Sequence, residues 1–149
     1  MIAEARELGL GIEIRHLPEG TRTAEDAARA CGCDVAQIVK SIVFREDGTA
    51  RHVLFLTAGD RRVDPVRASA LAGSDLVKAD AAGIRTHTGF AIGGVSPLGH
   101  LTPIDMFFDP ALLGHPVIWA AAGTPHDVFA IAPAALVAAL EPKVADFSC

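Results

Sequence analysis

The chain has 149 residues, 50% apolar and 21% charged, which is enough to bury one core of ordinary domain size and too apolar for a disordered tail. Its formal net charge of -5, from 13 lysines and arginines against 18 aspartates and glutamates, excludes a protein that coats nucleic acid or anionic membrane by bulk attraction. The cations are unevenly spread: twelve of the thirteen fall between Arg6 and Arg85 and none between Thr86 and Pro142, so phosphate contacts belong mainly to the first part.

Taken in order, Ala3 to Leu8 makes a short helix, and Gly11 to Leu17 alternates Ile12 and Ile14 with Glu13 and Arg15, the period of a half-buried strand. Thr23, followed by Glu25, Asp26 and an alanine-rich stretch, caps a helix that ends at Gly32. Asp34 with Gln37 opens a single helical turn through Ile38. Lys40 to Arg45 and His52 to Thr57 turn β-branched and aromatic around Glu46-Asp47-Gly48, which predicts a hairpin. Val53 to Leu56 are apolar on both parities, which places this hairpin near the centre of a sheet covered on both faces.

Asp64-Pro65 sets a capping carboxylate before a proline at the first helical position, and that helix runs to Leu71 before Gly73. Further strands are expected at Leu76 to Ala79, Phe90 to Ile92, Ile104 to Phe108, Val117 to Ala121 and Val128 to Ile131. A last helix covers Pro133 to Leu140, and Val144 to Phe147 closes the chain as a strand or tail. No repeat or linker splits the sequence, so residues 1–149 are expected to form one mixed α/β (α+β) domain. Neither a P-loop nor a dinucleotide fingerprint is present, which disfavours both nucleotide folds.

Three cysteines, Cys31, Cys33 and Cys149, do not make a disulfide framework, and the acidic start lacks the pattern of a signal peptide. No apolar run reaches the ~18 residues of a membrane span. A soluble protein of the reducing cytoplasm is expected. No second close pair of Cys or His follows Cys31-Gly-Cys33, so no metal site is expected.

Three features can carry chemistry. Strand periodicity puts Lys40 on the face of Ile42 and Phe44, where an ammonium either snorkels at the strand end or binds an anion at the lip of a cleft. Gly89 to His100 holds four glycines and one proline, so its backbone N–H groups could converge on an oxygen, or it is simply a tight turn. Ser96 misses the G-x-S-x-G spacing of a nucleophile elbow. Gly123-Thr124-Pro125-His126 is a turn that ends in a histidine able to donate, accept or titrate, or to stand solvated.

Together these segments resemble one family, the YbaK and prolyl-tRNA synthetase-associated editing domains. The matching pieces are His16-Leu-Pro-Glu-Gly-Thr-Arg-Thr-Ala-Glu-Asp-Ala, Gln37-Ile-Val-Lys-Ser-Ile-Val-Phe, Gly89-Phe-Ala-Ile-Gly-Gly-Val-Ser-Pro-Leu-Gly-His and Trp119-Ala-Ala-Ala-Gly-Thr-Pro-His. The resemblance implies a curled, barrel-like mixed sheet flanked by short helices, and a free-standing hydrolase of the ester in mischarged aminoacyl-tRNA. The implied substrate is a small amino acid such as Ala, Ser or Cys on a non-cognate tRNA, with tRNA-Pro the first candidate; the alternative is a non-catalytic tRNA-end or protein-binding module of the same fold.

By the same resemblance Lys40 holds the terminal adenosine's phosphate, and the loop Gly93 to Pro97, through Gly93 and Gly94, meets the aminoacyl carbonyl and a water. Ser41, Ser96, Pro97, Gly123 and His126 are the implied substrate contacts. The implied partners are the acceptor end of aminoacyl-tRNA and, as a further candidate, a cognate synthetase, with no cofactor, membrane or DNA.

Overall fold

The residues that are apolar on both parities do form the centre of the architecture. Strand β3 (His52–Ala58) has all seven residues buried, and it pairs with β2 (Val39–Glu46) as an antiparallel hairpin in the register Lys40 to Thr57 and Phe44 to Val53. The structure, a computed structural model, describes residues 1–20 and 23–149; Thr21 and Arg22, within the first quoted segment, lie outside the described residues.

The remaining helices are α1 (Ile2–Glu7), α2 (Ala24–Cys31), α3 (Pro65–Ala72), α4 (Ala81–Thr88) and α5 (Pro133–Leu140), with 3₁₀ turns at Val35–Gln37 and Pro110–Gly114. The remaining strands are β1 (Ile14–His16), β4 (Leu76–Lys78), β5 (Asp105–Phe108), β6 (Ile118–Ala121), β7 (Asp127–Ile131) and β8 (Lys143–Val144). They assemble into a five-stranded mixed sheet, β4-β2-β3-β5-β8, and a three-stranded antiparallel sheet, β1-β7-β6. β5 runs parallel to both β3 and β8. The fold is mixed α/β as expected, but the body is two sheets rather than one closed barrel.

Each face of β3 carries its own core. Leu54, Leu56 and Ala58 join Val39 and Val43 in the large cluster that reaches Phe129 and Leu136. Val53 and Phe55 face a smaller aromatic cluster, in which Phe55 stacks on Phe107 at 5.0 Å and meets the edge of Phe147 at 4.9 Å.

The predicted caps are present. Thr23 Oγ1 accepts from Asp26 N–H, Asp64 Oδ1 accepts from Val66 N–H, and Gly32 and Gly73 stop their helices in the left-handed region. At the turn that Asp34 opens, Gln37 Oε1 accepts from the Asp34 N–H at 3.0 Å, as in a capping box.

Four segments differ from the sequence reading. Helix α4 was not anticipated, because Gly83, Ile84, Thr86 and Thr88 are weak helix formers. Asp80 capping the Gly83 N–H at 2.6 Å and the left-handed Gly89 delimit it, while the buried Ile84 and Thr88, one turn apart, fasten it to the core. Phe90 to Ile92 is not a strand but part of the turn closed by Gly94 N–H donating to Ala91 O. Strand β1 is shorter than Gly11 to Leu17, and its three residues are all exposed, since only β7 borders it. At the end of the chain only Lys143–Val144 is a strand, after which Ser148 bridges Val63. Among the described residues no helix is long and apolar enough to cross a membrane.

Candidate active site

The two sheets meet beside the first half of β2. Strand β4 pairs only with Phe44 to Glu46, so the edge of β2 before that point is left open. There the small sheet docks through one parallel bridge, Ile38 to Trp119. Beyond the bridge Val39 to Ile42 and Trp119 to Ala121 form opposite walls of a cavity of about 360 Å³. Helix α2 closes one side with Thr23 and Ala27, and the glycine loop closes another with Gly93 and Val95. The size suits a small-molecule group, and the walls are mainly apolar with few polar groups.

Lys40 is the main polar group. It shares a face with Ile42 and Thr57, is half-buried, and donates from Nζ to the Arg61 carbonyl. Burial pushes its pKa below that of an ordinary lysine, and the nearby Arg62 charge adds to this, while Glu25, Asp60 and Asp109 oppose it. One carbonyl acceptor leaves the ammonium with further N–H donors for an anion. Ser41 points to the other face, and its Oγ is buried without a hydrogen-bond partner among the described residues. A buried hydroxyl without a partner costs stability.

Gly93 adopts φ +87, open to glycine at little cost, and its amide has no hydrogen-bond partner among the described residues. Gly94 stands immediately behind it. An added Cβ there would lie 2.8 Å from the Thr124 backbone, so the loop interlocks with the β6–β7 turn through a contact only glycine permits. The Gly94 N–H is committed to Ala91 O at 3.0 Å. Of the two adjacent amides, that of Gly93 remains available.

The other sequence candidates lie off the cavity wall. Ser96 is fully buried inside the loop, its Oγ accepting from Leu98 N–H at 3.1 Å. His100 donates from Nε2 to the Ser96 carbonyl at 2.6 Å and makes no bond to the hydroxyl, so this pair is not a nucleophile and base. Pro97 is buried in the same loop and faces the α1 side. Gly123, at φ +107, packs on the Phe90 ring. His126 is exposed, donates from Nδ1 to Leu17 O at 3.1 Å and stacks on His16.

The structure therefore brings Lys40, Ser41 and Gly93 together, with Gly94 behind, and leaves Ser96, Pro97, Gly123 and His126 outside the lining. Sequence reasoning missed Trp119 and Ala27 as wall residues; the single tryptophan at the start of a quoted segment was the available signal. Among the described residues no group of three or more His, Cys, Asp or Glu could hold a metal ion.

The fold is that of an editing domain. The chain belongs to the aminoacyl-tRNA editing domain family, whose model matches residues 18–139. It is similar to a crystal structure of a proposed trans-editing enzyme for prolyl tRNA synthetase, at 42% identity and a TM-score of 0.91, covering 99% of this chain and 93% of that one. A structure solved in work on epitope backbone grafting by computational design superposes with a TM-score of 0.92 at 40% identity, covering 99% and 94%. A further relative is the uncharacterized protein YwhH of Bacillus subtilis (strain 168), 25% identical over 121 residues, which are 81% of this chain and 76% of the relative.

Proposed function

We propose that this chain is a single-domain deacylase acting in trans in the cytoplasm on mischarged aminoacyl-tRNA, with a small aminoacyl group such as Ala, Ser or Cys and tRNA-Pro as the carrier. The observation that carries this reading is one cavity with mainly apolar walls that is lined by Lys40, Ser41 and Gly93, the Gly93 amide having no hydrogen-bond partner among the described residues. The similarity to a proposed trans-editing enzyme for prolyl tRNA synthetase supports the choice of tRNA.

An aminoacyl ester is already activated, so positioning a water and stabilising the developing oxyanion suffices without a Ser-His-Asp triad. In the proposed reaction Lys40 holds the phosphate of the terminal adenosine and the Gly93 amide donates to the ester carbonyl. A water attacks that carbonyl, the bond to the ribose 3'-oxygen breaks, and that oxygen takes the proton released by the water, relayed by the neighbouring 2'-hydroxyl. The products are a free amino acid and an uncharged tRNA. The apolar walls hold the small side chain and reject bulk.

The test is deacylation of tRNAs charged with Ala, Ser, Cys and Pro. Turnover above the buffer rate, lost in a folded Lys40→Ala variant, supports the enzyme. A fully active Lys40→Ala protein contradicts the site. Absence of turnover across the panel points to a binding module of the same fold.

A further inference from the structure

Several arginines of this chain are engaged at home. Arg29 pairs with Asp26, Arg51 with Asp105, and Arg67 with Asp146, while Arg61 binds Ser148 and faces Asp109. Arg15, beside a wall of the cavity, is different. On exposed β1, it has no ion pair or side-chain hydrogen bond among the described residues, and its guanidinium lies 4.7 Å from the centre of the Trp119 ring.

The stack on Trp119 has a physical consequence. A cation over an indole face is attracted by the ring's quadrupole, and the guanidinium plane is thereby fixed while its N–H edges stay free. Such a fork matches a phosphate bidentately. Trp119 is itself a wall of the cavity, so the fork stands beside that wall.

We propose that Arg15, held on Trp119, is a phosphate-binding residue for the RNA strand whose 3' end enters the cavity lined by Lys40. This rests on the editing reading above and adds a residue that positions the strand. Electrostatic contact at a few phosphates explains how an acidic protein can grip one RNA end without coating nucleic acid.

The experiment measures binding of an uncharged RNA hairpin ending in CCA by fluorescence anisotropy across a salt series, for the wild type and for Arg15→Ala and Arg15→Lys, with melting temperatures as the control for folding. The expected result is an affinity about 3- to 10-fold weaker for Arg15→Ala at low salt, with the slope of log K against log [salt] reduced by about 1. Arg15→Lys is expected to keep most of the slope and lose part of the affinity, because it keeps the charge and loses the planar fork. Equal affinity and slope in wild type and Arg15→Ala would overturn the proposal, as would a wild type that does not bind the hairpin. Failure of the editing reading alone looks different: Arg15-dependent binding persists while no charged tRNA is deacylated.

Discussion

The contact between the glycine loop and the β6–β7 turn makes Gly94→Ala a quantitative test of the site's construction. An ideal Cβ at Gly94 would lie 2.8 Å from Thr124 C and Cα and 3.1 Å from Pro125 N. Carbon atoms rest at about 3.5–4.0 Å, so the loop or the turn must retreat by about 0.7 Å or more. Because the obstructing atoms are backbone, no side-chain rotation relieves the clash. Overpacking of this kind costs about 1–3 kcal/mol. In a domain of this size that lowers the melting temperature by roughly 2–4 °C per kcal/mol, or about 2–12 °C in all.

The retreat also carries Gly93 away from the cavity wall, and a misplacement of about 1 Å can cost on the order of 100-fold in rate. The assay is thermal denaturation beside single-turnover deacylation. Gly114→Ala is the control, because a Cβ there meets nothing within 4 Å. Gly93→Ala separates the two effects: its nearest neighbour is Pro125 Cγ at 4.0 Å, so it suffers only left-handed strain at φ +87, about 1–2 kcal/mol. If Gly94→Ala melts and turns over like Gly114→Ala, the loop does not depend on this contact and the account fails.

Other predictions concern charge and anchoring. Because burial lowers the Lys40 pKa in the folded chain, the unfolded chain keeps its proton to higher pH. Stability therefore rises as pH climbs from the folded pKa towards 10.5, and Lys40→Met removes this rise in urea titrations; coincident pH profiles would refute the cause. His100 is lowered by burial, against the pull of its bond to the Ser96 carbonyl, and His52 is lowered by burial too. The unfolded chain then binds more protons below pH 6.5, so stability drops on acidification from pH 7.5 to 5.5, and His100→Gln flattens that drop. An unchanged slope would remove His100 from the account. Replacing His126 by Ala deletes the donor to Leu17 O and costs about 0.5–1.5 kcal/mol, while the ranking of aminoacyl groups cleaved stays the same. A changed ranking would return His126 to the substrate role implied by the resemblance.

Sequence alone determined what is decided locally. Two-sided apolarity in Val53 to Leu56 is visible without coordinates, and β3 lies mid-sheet because only a strand covered on both faces can bury it. Caps at Thr23, Asp34 and Asp64 are short-range hydrogen bonds, so their spacing reveals them. Helix α4 was hidden because its propensities are weak and its hold comes from the distant core.

The site divides the same way. Lys40, Ser41 and Gly93 could be named from their segments, but the wall opposite them could not. Trp119 faces Ile42 across the cavity only because β4 stops at Phe44 and the small sheet docks on the open edge of β2. Nothing in local spacing separates Ser96, folded into its own loop, from Gly93, which reaches the cavity. The uneven spread of cations behaved likewise. The sequence located them in the first part of the chain, and tertiary structure decided which were neutralised by carboxylates and that Arg15 lies over Trp119. That choice depends on partners far apart in the chain, such as Arg51 with Asp105 or Arg15 with Trp119, and contact between them exists only once the strands have assembled.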